Sequence, residues 1–186
     1  MVAVIDDRNC PRFDWVFQWF GNPGKVANRK FIAKGGCLVL YNDVPAEEKR
    51  ALFRDALNSG RLLRVVGAPT PLIAMLIEEL GFDGVYCSGA VTSIDLGLPD
   101  IGVTTLTEVA TQSHRIARMV GLPTIIDADT GFGETLNAAR TIQELENMGL
   151  AGCHIEDQVN PKRCGHLDNK VLVSREDFAQ KIRAAG

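Results

Sequence analysis

From Asp43 onward the apolar positions follow two alternating periods. Leu72, Leu76 and Leu80, with Ile73 and Ile77, recur every four residues, which predicts a helix over Pro71–Leu80. Leu106, Val109, Ala110, Ser113, Ile116, Ala117 and Val120 form one stripe and predict a helix over Thr107–Val120; Ala138, Ile142 and Leu145 do the same over Glu134–Met148. Asp43-Val44-Pro45 opens a further helix, Ala46–Asn58, with proline where a first turn tolerates it, and Ser59-Gly60 ends it. Between these segments lie short apolar runs of strand length: Leu62–Ala68, Gly84–Ser88, Thr124–Asp129 and Gly152–Glu156. A last helix starts at Ser174, where Ser174 and Asp177 fit a capping box.

The punctuation between these elements repeats. Gly81-Phe82, Gly121-Leu122 and Gly149-Leu150 each offer a glycine for a left-handed residue after a helix, then an apolar residue to close the cap. Each pair comes just before a strand, as in the αβ loops of a parallel sheet. Residues 1–42 are different. They carry Trp15, Trp19, four phenylalanines and the breakers Gly21-Asn22-Pro23-Gly24 and Gly35-Gly36, with no clear period. They are an unassigned N-terminal extension before a domain at 43–186.

Parallel strands with helical crossovers fit a (β/α)8 barrel or an open doubly wound sheet. Both place polar residues at the carboxyl ends of strands, where Ser88-Gly89, Asp127-Ala128-Asp129 and Glu156-Asp157 fall. Gly131-Phe132-Gly133 is followed by Leu136 where a dinucleotide fingerprint needs its third glycine. The expected fold is therefore α/β, a TIM-type barrel cut to about its first four βα units. A full barrel needs on the order of 250 residues, and this chain stops at Gly186, in the approach to a fifth unit.

Composition narrows the function classes. Twenty Lys+Arg against 23 Asp+Glu give a net charge of −3, so no basic excess invites nucleic acid. No apolar run approaches the roughly 20 residues that cross a bilayer. Asp6, Asp7 and Asp14 do not suit a signal or transit peptide. Five cysteines at wide spacing (Cys10, Cys37, Cys87, Cys153 and Cys164), without a CxxC pair, do not suit a disulfide scaffold or zinc ribbon. The expected compartment is reducing and cytoplasmic, or the mitochondrial matrix in a eukaryote.

Asp127 and Asp129 stand two apart on a strand, so their carboxylates face one way and repel unless a cation or a proton joins them. Mg²⁺ suits such a pair, with Mn²⁺ as the alternative ion. The bland alternative is one helix-capping and one solvated aspartate. Glu156 ends the next strand and reaches the same ion or forms a salt bridge. His154 shares its face and reads as a satisfied barrel histidine. Cys164, in Asn160-Pro161-Lys162-Arg163-Cys164-Gly165-His166, has cationic neighbours that favour thiolate. Cys87 and Cys153 read as small core residues. Lys162, Arg163, Lys170 and Arg175 gather positive charge near the acids, as a substrate with several carboxylates requires. Asp100 reads as a turn residue or an acid–base group.

Together, Ser88-Gly89-Ala90, Leu96-Gly97-Leu98-Pro99-Asp100, Asp127-Ala128-Asp129-Thr130-Gly131-Phe132-Gly133, His154-Ile155-Glu156-Asp157-Gln158 and Lys162-Arg163-Cys164-Gly165-His166 resemble the isocitrate lyase / phosphoenolpyruvate mutase superfamily. The cysteine loop is most similar to its 2-methylisocitrate lyases, although Ala90 stands where many of them have glycine. The resemblance covers roughly residues 47–185 and implies a (β/α)8 barrel, homo-oligomeric when full length. It also implies Mg²⁺-dependent cleavage of 2-methylisocitrate, a small tricarboxylate, to pyruvate and succinate in propionate catabolism. By position, Asp127, Asp129 and Glu156 hold the ion or its water shell. Ser88, Gly89, Ala90, Arg163, Gly165 and His166 line the substrate. Cys164 is the general acid on a closing loop, with Lys162 and Asp100 in the catalytic set. Alternatives are an isocitrate lyase, an enzyme of oxaloacetate-like acids, or a non-catalytic partner of an intact lyase.

Overall fold

A computed structural model describes residues 41–186, so the extension at 1–42 lies, but for its last two residues, outside the described residues. The elements run α1 (Ala46–Asn58), β1 (Val65–Gly67), α2 (Pro71–Glu79), β2 (Gly84–Cys87), α3 (Gly89–Asp95), α4 (Leu106–Ala117), β3 (Thr124–Asp127), α5 (Thr135–Asn147), β4 (Gly152–His154) and α6 (Arg175–Ala185). The strands form one parallel sheet in the order β1-β2-β3-β4, with Val66 opposite Val85, Tyr86 opposite Ile125 and Ile126 opposite Cys153. Sequential parallel neighbours joined by helices are the order in which a TIM-type barrel is laid down. Among the described residues, no helix is long and apolar enough to cross a membrane.

The core lies between the sheet and its helices. Val85 and Ile126 of the strands meet Val109, Ile116 and Ala117 of α4 and Leu145 of α5, all buried. The α4 stripe is buried as its period predicts, Ser113 included, because the Ser113 hydroxyl donates to the Val109 carbonyl one turn back (2.8 Å). In α2 the expected stripe holds only in part. Ala74 and Ile77 are buried, while Leu72 and Leu80 lie 65% and 71% exposed at the two ends of the helix. A period of four drifts around a 3.6-residue helix, so it cannot keep every member on one face.

The strands are shorter than their apolar runs. The run at Leu62 becomes β1 only at Val65, because the Asp83 carboxylate, not a neighbouring strand, accepts the Arg64 N–H (2.9 Å), and Leu62 is left exposed. β3 ends at Asp127, yet the chain keeps a ladder contact beyond it: Ala128 N–H donates to the His154 carbonyl and Glu156 N–H to the Asp129 carbonyl.

Two of the three anticipated glycine caps form. Gly81 (φ 74°) and Gly149 (φ 81°) are left-handed, and the amides of Phe82 and Leu150 bond back to Ile77 and Leu145. Gly121 is not a cap. Helix α4 has already ended at Arg118, and the Gly121 N–H donates to the Glu78 side chain at 2.8 Å. It is glycine for space: a Cβ there would lie 3.1 Å from the Val44 side chain and 3.2 Å from Glu78 Oε1. The same cap motif appears instead at Gly97-Leu98, closing α3, where Gly97 has φ 72° and Leu98 N–H bonds to Ser93. Helix α3 is absent from the sequence expectation, although Ser88, its N-cap, and Gly97-Leu98 bracket it. Helix α4 starts a residue earlier than expected, on a complete capping box of Thr105 and Glu108.

Candidate active site

The polar strand ends converge. Asp127 closes β3 as a strand residue, but Asp129 does not: its φ is 47°, a left-handed conformation that aspartate tolerates better than most residues. The strand alternation behind the expected pairing therefore fails at 129. The carboxylates stay together by another route, since the Asp129 N–H donates to Asp127 Oδ1 at 3.1 Å. Both side chains are almost wholly buried.

Each carboxylate has its own basic partner. His154 Nε2 lies 3.0 Å from Asp127 Oδ1, with its ring stacked on Tyr86 at 5.7 Å between centroids. Lys162 Nζ, 2% exposed, sits 2.8 Å from Asp129 Oδ1 and 2.5 Å from Asp100 Oδ1. Asp100 thus reaches the cluster through Lys162. Thr104 Oγ donates to Asp129 Oδ2 at 3.4 Å. On the other side, the Gly89 N–H at the start of α3 donates to Asp127 Oδ2 at 3.3 Å. A Cβ at 89 would stand 2.9 Å from that oxygen, so the carboxylate would have to shift to admit one.

These contacts set the proton affinities. Burial pushes the Asp127 carboxyl up, but the His154 hydrogen bond and charge, the Asp129 amide and Lys162 outweigh it and hold it below its ordinary value. For Asp129 burial wins over Lys162, helped by the like charges of Asp127 and Asp100, and its carboxyl rises. Glu156 rises for the same chief reason, burial, with Asp127 and Asp129 adding to it against Lys162. His154 rises because Asp127 accepts its hydrogen bond. Burial alone would lower Lys162; its bonds to Asp100 and Asp129 lift it above the ordinary lysine range, so it stays a cation.

Asp127, His154 and Glu156 each offer one ligand atom within 4.8 Å of the others. This trio differs from the expected Asp127, Asp129 and Glu156 by one member: His154 takes the place that Asp129 gives up to Lys162. The oxygens of Asp127 and Glu156 suit a hard divalent ion. Asp129 lies beside them, its Oδ1 held by the Lys162 ammonium at 2.8 Å. The donor set therefore fits a hard divalent cation, with His154 as partner to Asp127. His154 is the residue that spacing undervalued, although it stands two before Glu156 in the chain.

The Lys-Arg-Cys-Gly-His segment begins at this cluster through Lys162 and then leaves it. Arg163 turns its guanidinium to the Asp168 carbonyl (3.3 Å), and Lys170 donates to the carbonyls of Gly165 and Leu167. Arg175 opens α6. Of the four cations expected to face the acids, Lys162 is the one seated on them; Arg163 and Lys170 brace the loop. Cys164 Sγ lies 3.8 Å from His166 Nδ1. Ser88 caps α3 and Ala90 lies in its first turn. Cys87 is buried in β2, its thiol pushed up to about 11 by burial, and Cys153 packs against the core.

A half-barrel order of parallel strands with carboxylates, a histidine and a lysine at its carboxyl end defines a class of barrel enzyme sites. Known proteins narrow it. The family model described as phosphoenolpyruvate phosphomutase matches residues 53–186, and the chain belongs to that family, within the phosphoenolpyruvate mutase / isocitrate lyase superfamily. It is 58% identical over 141 residues to a probable 2-methylisocitrate lyase 2 of Corynebacterium glutamicum, covering 76% of this chain and 46% of that one. The chain thus spans about half the length of the curated relatives it matches. A 2,3-dimethylmalate lyase crystal structure superposes with TM-score 0.69 at 36% identity, over 77% of this chain and 48% of that one. Phosphonopyruvate hydrolase in complex with oxalate and Mg²⁺ superposes with TM-score 0.67 at 36% identity, over 74% of this chain and 47% of that one.

Proposed function

We propose that this chain carries the metal and acid half of a Mg²⁺-dependent carbon–carbon lyase acting on 2-methylisocitrate, with pyruvate and succinate as products. The cluster of Asp127, His154 and Glu156, with Asp129 and the Lys162 ammonium beside it, carries the proposal, because it joins oxygens that suit a divalent cation to a buried positive charge at one strand end. The substrate class comes from the 2-methylisocitrate lyase relatives, and the ion from the solved hydrolase with Mg²⁺. Asp127 and Glu156 would hold the ion, with Asp129 adjoining. When bound, the ion offsets negative charge on the substrate's hydroxyl oxygen as its proton leaves.

The chain's own residues divide the remaining work. Transfer of the hydroxyl proton to a water molecule lets the neighbouring carbon–carbon bond break: the oxygen's electron pair forms the pyruvate carbonyl, and the bond's electron pair moves to the carbon that becomes part of succinate. Cys164 gives its S–H proton to that carbon. Lys162 keeps its proton, since Asp100 and Asp129 hold it as an ammonium, so it contributes positive charge and not a base. Ser88, Gly89 and Ala90 place the first turn of α3 beside Asp127, where substrate oxygens would meet it.

Pyruvate release from 2-methylisocitrate with Mg²⁺ tests the proposal, with isocitrate and oxaloacetate as competing substrates. The expected result is preferential turnover of 2-methylisocitrate, abolished in Cys164→Ser while Mg²⁺ still binds. Equal turnover by Cys164→Ser would refute the acid role, and preference for either competitor would refute the substrate assignment.

A further inference from the structure

Gln158 belongs to the His154–Gln158 motif, yet nothing above uses it. It is 5% exposed, and its amide is fully committed. Nε2 donates to Glu156 Oε2 at 2.6 Å and to the Arg163 carbonyl at 2.9 Å, while Oε1 accepts the Arg163 N–H at 3.0 Å. One side chain thus grips both backbone groups of the residue before Cys164 and, with the same nitrogen, a carboxylate of the metal cluster. The two contacts to Arg163 fix which end of the amide is nitrogen.

The surroundings make this grip consequential. The Gln158 backbone is itself anchored, through an antiparallel bridge to Leu172 flanked by Val159 N–H to Val171 and Val173 N–H to Asp157. That bridge closes the base of a loop, residues 159–171, which carries Cys164 near its middle. Within the loop the remaining polar contacts of Arg163 and Lys170 are local, to Asp168, Gly165 and Leu167. Two side-chain ties connect the loop to the acids: Lys162, to Asp100 and Asp129, and Gln158, to Glu156. Lys162 is a charge tether. Gln158 is a directional one, because an amide holds the peptide unit in a plane.

We infer that Gln158 is a positioning residue that couples occupancy of the Glu156 metal position to the conformation of the Cys164 loop. The inference deepens the proposed function and rests on it for the identity of the ion. A cation drawing on Glu156 changes the partner of Gln158 Nε2, and the same nitrogen passes that change to Arg163. Glu156 and the loop are then set together and not independently.

Amide hydrogen exchange of residues 159–167 in the 186-residue chain, with and without Mg²⁺, tests this alongside calorimetric Mg²⁺ affinity. Without metal, Gln158→Leu speeds exchange at 163–166 about tenfold, the opening expected when a buried hydrogen-bond set of ordinary strength is lost. Gln158→Met roughly keeps the volume and loses both donations without adding charge beside Glu156, and serves if the leucine variant does not fold; it also speeds exchange. Mg²⁺ alters exchange in the wild type by about threefold or more. Both variants lose this response while Mg²⁺ affinity stays within about threefold, which a residue needed only for folding would not produce. Unchanged metal-free exchange in either folded variant overturns the clamp, and an intact Mg²⁺ response overturns the coupling. If the wild type binds no Mg²⁺ the proposed function fails, whereas the metal-free rates still judge the clamp.

Discussion

At the scale of single residues, charge is placed where a partner has been built for it. Lys162 is the plainest case. Its ammonium is almost wholly buried between Asp100 and Asp129, and removing it strands two carboxylates. Lys162→Met should therefore cost about 3–5 kcal/mol of folding stability, the usual result of breaking a buried pair from one side; urea denaturation measures it, and a loss under about 1 kcal/mol would contradict the pairing. Asp83, outside the cluster, ties stability to pH. The Arg61 and Arg64 side chains and the Arg64 N–H hold its carboxyl down at about 2, against 3.8 ordinarily. A depressed carboxyl contributes stability above the unfolded value and loses it as pH falls through the folded one. The Asp83→Asn variant should thus be less stable than wild type at neutral pH, and the gap should close between about pH 4 and 2. Thermal melts across that range report it, and a gap independent of pH would exclude the ion pairs as its cause.

At the scale of elements, caps and close approaches decide what forms. The Thr105–Glu108 box starts α4, the helix that lays Val109, Ile116 and Ala117 on the sheet. Thr105→Ala should cost about 1 kcal/mol, readable as a lower melting temperature; no change would mean that packing alone sets the start of α4. Gly89 is the corresponding point for the site. In Gly89→Ala the new methyl meets Asp127 Oδ2 at 2.9 Å, so the carboxylate must move, and divalent affinity should fall about tenfold with little loss of stability. The sequence makes most of these elements legible because helix stripes and glycine caps are local signals. It hides α3, whose seven residues are too few to show a period, although Gly97-Leu98 carries the same cap pattern as Gly81-Phe82. It misplaces Gly121, because a glycine required for space and one required for handedness look alike in one dimension. The site is legible as a group of strand-end acids. Two of its details are not: Asp129 leaves the strand by a left-handed turn, and His154 and Lys162 share out the carboxylates, choices that depend on contacts across 27 and 33 residues of chain.

At the scale of the whole molecule, the described residues are a run of βα units whose carboxyl ends carry the polar chemistry and whose helices carry the core. That segregation puts the apolar packing away from the site, while buried pairs such as Lys162–Asp129 serve both. Ile116→Ala, on the core side, should cost about 2–5 kcal/mol and leave cation affinity unchanged in the folded fraction; altered affinity would show that the two sides are coupled. In the proposed site Asp127, with Glu156 and Asp129 adjoining, holds a divalent cation. Calorimetric titration of Mg²⁺ into the wild-type chain and Asp127→Asn tests it most directly, with Asp83→Asn as the control carboxylate. Saturable binding by the wild type and the control is expected, with affinity at least about tenfold weaker in Asp127→Asn. Equal affinity in all three chains, or no binding in any, would contradict it.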